Sequence, residues 1–148
     1  MSGDDILKDF REDYALLVEA GFVAVKQLDE NGARYLFKAA ELLNPSNVAS
    51  QLGIGYIALN KLEINEATKI FSAIVKKDPE HYLAQTLLGI CYMLTKNKLK
   101  EGQKLIQDAK SKSDEPTIKT LADICMVWAD KDLAVKASSP FMPAQADD

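Results

Sequence analysis

VASQLGIGYIALNKLEINEATKIFSAIVKKDPEH, residues 48–81, carries one copy of a pattern that the chain repeats. Gly55 in this stretch has counterparts 34 residues to either side, Gly21 and Gly89. At the same step Pro79 pairs with Pro45, Ala67 with Ala33, and Phe71 with Phe37 and Leu105. Four residue types sharing one period mark a tandem repeat. With glycine at the eighth place, the units are Tyr14–Asn47, Val48–His81 and Tyr82–Glu115. Apolar residues recur at helical spacing over about the first fourteen places of each unit, and again over about places fifteen to twenty-eight. Each unit therefore reads as a helical hairpin, and the fold class as all-α.

The repeated residues have physical roles in such a hairpin. Glycine inside a helix costs ~1 kcal/mol relative to alanine, so its recurrence implies close approach of a second helix. Ala33 and Ala67 are small for the same reason on the partner helix, while Phe37, Phe71 and Leu105 fill space toward the next unit. Pro45 and Pro79, preceded by Asn44 and Asp78, end the second helices. The inter-helix turns are expected at Asp29–Gly32, Lys61–Asn65 and Thr95–Lys98. The third unit departs from the pattern: Glu101 stands at the small-residue place, with Gly102 beside it, and Ser113 replaces proline. A terminal repeat packs on one neighbour only, which tolerates such decay.

Around the repeats (residues 14–115) the chain divides into three further segments. Residues 1–13 read as a helical extension, with Ile6, Leu7 and Phe10 on one face. Residues 116–137 read as a capping helix: Pro116 suits a first turn, and Ile118, Leu121, Ala122, Cys125 and Trp128 fall at helical spacing. Residues 138–148, with Pro140 and Pro143, read as a flexible tail.

Composition narrows the function. The 148 residues are 47% hydrophobic, enough for a core, and the net charge of -4 speaks against nucleic acid as a partner. No apolar run is long enough for membrane insertion. The acidic N-terminus lacks the basic start and apolar stretch of a secretory signal, which points to the cytosol. Cys91 and Cys125, in apolar helical sequence without a CxxC pattern, read as buried thiols. His81, the single histidine, stands at a repeat junction where a helix begins, which suits a structural role. There is no phosphate-binding glycine loop and no serine elbow. Carboxylate pairs such as Asp4-Asp5 and Asp147-Asp148 lie near the chain ends, where acid–base chemistry has no rigid frame. Neither an enzyme nor a cofactor or metal is implied. Lys96, Lys98, Lys100, Lys104, Lys110 and Lys112 form a basic run that reads as a solvated face, or as a contact for an acidic partner.

The glycine, alanine, phenylalanine and proline positions over residues 14–115 resemble the tetratricopeptide repeat. The resemblance implies a solenoid of three hairpins whose first helices line a concave face with places 2, 5, 9 and 12. Those places hold Ala15, Val18, Phe22 and Val25, then Ala49, Leu52, Tyr56 and Leu59, then Leu83, Thr86, Ile90 and Met93. All but Thr86 are apolar or aromatic, so the expected groove suits an apolar segment, with Phe22, Tyr56 and Ile90 as central anchors. Relatives that capture the acidic tails of heat-shock chaperones use a lysine–asparagine–arginine clamp. Ala15 and Glu19, Ala49 and Gly53, and Leu83 and Leu87 stand where that clamp would lie, and none binds a carboxylate.

The arrangement also resembles the cytosolic chaperones of bacterial type III secretion systems. One branch holds the needle subunit in the groove, together with a small co-chaperone, and prevents early polymerisation. The other holds hydrophobic pore-forming translocators and often forms a homodimer through its N-terminal helix. The apolar groove favours the needle branch. A general scaffold for protein assembly is the third expectation.

Overall fold

A computed structural model describes residues 3–133, with side chains over 11–131. Seven α-helices follow one another: α1 (Gly3–Lys26), α2 (Glu30–Leu43), α3 (Ala49–Asn60), α4 (Ile64–Lys77), α5 (Tyr82–Met93), α6 (Leu99–Lys112) and α7 (Pro116–Trp128). A π-helical turn, Ala129–Leu133, continues α7. Among the described residues there is no strand, and no helix is long and apolar enough to cross a membrane. The expected tail, 138–148, and the face formed by Ile6, Leu7 and Phe10 lie outside the described residues.

No breaker separates the expected extension from the first repeat helix, so α1 runs through both as one 24-residue helix. The chain forms two compact units that divide inside α4, between Ile70 and Phe71.

In the first unit α1 packs on α2 and α3, and α2 on α3. Its core is Ala24, Val25, Ala33, Phe37 and Ile57, with Val18, Phe22, Leu36 and Ile54 against it. The fully buried Phe37 ring lies on Gly21 of α1 and Gly53 of α3. A β-carbon on Gly21 would stand 2.5 Å from Phe37 Cε1, so the glycine's lack of a side chain is what admits the ring.

In the second unit α5 packs on α6 and α7, and α6 on α7. Here the helices meet backbone to backbone. A β-carbon on Gly102 would stand 2.5 Å from the Gly89 carbonyl oxygen and 2.7 Å from the Met93 nitrogen. Ile106, Met93, Ala122, Cys125 and Ala129 form the core. Of the expected capping stripe, Ile118, Ala122 and Cys125 are buried, while Leu121 and Trp128 are half-buried.

The hairpin turns correct two sequence expectations. Asp29–Gly32 is not a turn but the start of α2: Asp29 is the N-cap, and its Oδ1 accepts from the Gly32 amide at 3.0 Å. The turn itself precedes it, with Leu28 at φ 61°. Leu62, at φ 59°, occupies the same place 34 residues later, but the third left-handed residue is Asn97, at φ 65°. The third turn is longer, and the step across it is 35 residues instead of 34. Everything after it moves by one: Glu30, Ile64 and Leu99 start the second helices, and Ala33, Ala67 and Gly102 are the buried small residues. Phe37, Phe71 and Ile106 are the fully buried large ones. Leu105, expected to fill the third core, is only half-buried, and Glu101 is exposed. The third hairpin is thus shifted by one residue at its small and large core places, while the proline is still missing, with Asp114 at the shifted place.

Leu28 combines a left-handed backbone with 92% exposure, so it bears the steric cost of that region without compensating burial. Leu28→Asn is expected to stabilise the protein by about 1 kcal/mol, read as a rise of a few degrees in Tm.

Gln85, buried on α5, donates from Nε2 to the Leu105 carbonyl and to Asp108 Oδ2, each at 2.9 Å. That bond, followed by the Lys112 ammonium at 3.0 Å, holds the Asp108 carboxyl below the ordinary carboxylate range. A depressed carboxylate contributes stability above its unfolded pKa, near 4, and loses it as pH falls through the folded value. Thermal melts from about pH 7 to 2 should therefore show Asp108→Asn less stable than the parent at neutral pH, with the gap closing in acid.

Candidate partner-binding surface

The first helices of the second and third hairpins differ in kind from the second helices. α3 and α5 contain no charged residue, whereas α2, α4 and α6 are amphipathic. An apolar helix buries most of its circumference and leaves a remainder that water must cover.

In the first unit the twelve-residue stripe expected from sequence splits by place. Ala15 and Tyr56 are exposed; Val18, Phe22 and Ala49 are half-buried; Val25, Leu52 and Leu59 are buried. In the second unit Leu83 and Ile90 are half-buried, while Thr86 and Met93 are buried. Places 2 and 9 are open on every first helix, and place 12 is closed on every one. The reason is angular. At 3.6 residues per turn, residues seven apart nearly coincide around a helix, so 2 and 9 share one line and 5 and 12 another, about 60° away. That rotation carries the second line into the core. The Thr86 hydroxyl, facing inward, is satisfied by donating to the Tyr82 carbonyl at 2.8 Å.

The open line of the first unit is held from behind. The Phe22 ring meets Phe37 edge-on, with centroids 5.0 Å apart and planes at 71°. Tyr56 of α3 lies on its other side at 6.3 Å. The three rings run from core to surface, so Phe22 and Tyr56 are fixed before any partner arrives, which lowers the ordering cost of binding. Leu16 and Val23 of α1, exposed at 63% and 51%, form a separate apolar line about 100° further round the helix, with the exposed Glu19 and Lys26 between the two lines. Sequence reading passed over both. Their signal was the seven-residue step from one to the other beside Ala15 and Phe22.

Other candidate groups have structural positions. His81 is the N-cap of α5, its Nδ1 accepting from the Ala84 amide at 3.2 Å. Cys91 and Cys125 are buried, and burial pushes the Cys125 thiol up, away from the reactive thiolate. Among the described residues no group of three or more His, Cys, Asp or Glu side chains is placed to hold a metal ion. At the acidic-tail clamp positions, Glu19 is exposed, and Gly53 and Leu87 are buried.

No protein-family model, curated protein or solved structure matches the chain.

Proposed function

We propose that this protein is a binding chaperone that holds an apolar helical segment of a self-associating subunit on the open line of α1 and α3. The observation that carries this reading is the Phe22–Tyr56 pair, backed by the buried Phe37 ring. The 34-residue period supports a tetratricopeptide solenoid as the frame. Within that family the apolar surface and the missing carboxylate clamp favour a cytosolic chaperone of the type III secretion needle subunit, acting alone or with a small co-chaperone. The translocator chaperone is the neighbouring assignment.

An amphipathic helix suits the surface because its own apolar residues recur at i, i+3, i+4 and i+7. Burying ~600 Å² of apolar area at ~25 cal/mol per Å² gives a gross gain of ~15 kcal/mol. Ordering the segment and losing its free motion offsets much of that, leaving an affinity in the micromolar to nanomolar range. Such binding protects a subunit and still releases it.

A fluorescein-labelled, uncharged amphipathic helical peptide serves as probe. Phe22→Glu and Tyr56→Glu are each expected to weaken its binding by tenfold or more, equivalent to about 1.4 kcal/mol, with the far-UV circular dichroism unchanged. Retention of full affinity by both variants contradicts the reading. A scaffold that uses its outer face is the second reading, favoured by Tyr35 and Leu42, which are seven apart on α2 and exposed at 76% and 84%. If Tyr35→Glu and Leu42→Glu abolish binding while the Phe22 and Tyr56 variants do not, the scaffold replaces the chaperone.

A further inference from the structure

The turn between α5 and α6 breaks a rule that α2 keeps. Asp29 caps α2 through its side chain, and Glu30 follows in the first turn. The N-cap of α6 is Lys98, which makes no side-chain cap bond, and Lys100 precedes the first-turn acid, Glu101. Lysine cannot accept the amide hydrogen bonds a cap supplies, and a positive charge opposes the positive end of the helix dipole. Lys100 and Lys104 also stand at i, i+4, where like charges repel. The helix start thus gains nothing from these lysines as caps or as dipole partners.

Their charges are not neutralised either. At the far end of α6, Lys110 pairs with Asp123, and Lys112 with Asp108. Lys96, Lys98 and Lys100 are exposed, and among the described residues none has a carboxylate in ion-pair reach. The ammonium of Lys98 lies instead over the Tyr92 ring, 4.8 Å from its centroid. The turn that carries them is firm. Asn97 suits its left-handed backbone, the Lys98 amide donates to the Thr95 carbonyl at 3.1 Å, and the Thr95 hydroxyl donates to the Cys91 carbonyl at 2.8 Å.

We propose that this lysine turn is a second docking site, distinct from the apolar line, and that its occupant is an acidic segment of a partner protein. Charge complementarity selects the ligand. Three exposed cations within five residues suit a short run of side-chain carboxylates. The net charge of -4 selects against a long polyanion: nucleic acid extending past the turn meets the chain's excess acidity, whereas a short segment stays within the ~8–10 Å range of the lysines.

The test is fluorescence anisotropy of the full chain with a fluorescein-labelled peptide of about six glutamates at low salt, near 50 mM. The parent should bind, and the combined Lys96→Glu, Lys98→Glu, Lys100→Glu variant should bind at least tenfold more weakly. Lys119→Glu, an exposed change on α7, should bind like the parent. The triple variant should also melt within a few degrees of the parent, because acids suit a helix start and offset the lost Lys98–Tyr92 contact. Loss of binding without loss of stability separates a docking role from a structural one. The proposal is overturned if the parent does not bind, if the triple variant binds as well as the parent, or if oligothymidylate or vesicles of anionic lipid compete more strongly than the peptide.

Discussion

Phe37→Ala is expected to lower the unfolding free energy by about 3–5 kcal/mol, against a total of ~5–15 kcal/mol for a domain. The side chain is fully buried and fills the space that Gly21 and Gly53 leave on two different helices. Neither glycine has atoms that could relax into the cavity, so the cost belongs at the upper part of the range. The ring also backs Phe22, so the variant should bind an apolar helix more weakly even where it remains folded. A double-mutant cycle isolates the contact. Gly21→Ala alone drives a β-carbon into the Phe37 ring and destabilises. In the Phe37→Ala background the same change fills part of the void and adds helix propensity worth up to ~1 kcal/mol, so it should stabilise. Urea unfolding of the four proteins measures the coupling, and additive effects would show that the ring and the glycine do not interact.

Gly102→Val is expected to cost about 3 kcal/mol or more. The atoms in the way are the Gly89 carbonyl oxygen and the Met93 amide nitrogen, both backbone, so α5 and α6 must separate to admit the side chain. That separation would also strain the bonds from Gln85 to Leu105 and Asp108, which join the same two helices. Gly32→Ala supplies the contrast, since its added carbon meets only the Asp29 carboxylate, which can swing away at the loss of one cap bond. The urea midpoint of Gly102→Val should therefore fall well below that of Gly32→Ala.

Ala33, Ala67, Phe37 and Phe71 were legible in the sequence because one step of 34 relates them and each is fully buried. The third hairpin was not, because a fixed step cannot follow an added residue. Asn97 lengthens the turn, and the buried pair becomes Gly102 and Ile106 in place of Glu101 and Leu105. Asn97 was itself the available clue, being the residue type that tolerates a left-handed turn. Gly53 gave no sign of its role: Glu19 and Leu87 stand at its repeat positions, so only the packing of Phe37 reveals it. On the candidate surface, Phe22 and Tyr56 were found by place. Val25, Leu52 and Leu59 were grouped with them although a 60° rotation on the helix puts them in the core. Periodicity locates a helix face well and its edge poorly, because the edge depends on which neighbour covers it.

The most direct test of the central claim is a ¹H–¹⁵N shift map of the full chain titrated with the uncharged amphipathic helical peptide. The account predicts shifts centred on Phe22 and Tyr56, and their loss in Phe22→Glu. Shifts gathered elsewhere on the chain, with Phe22→Glu responding as the parent does, would contradict it.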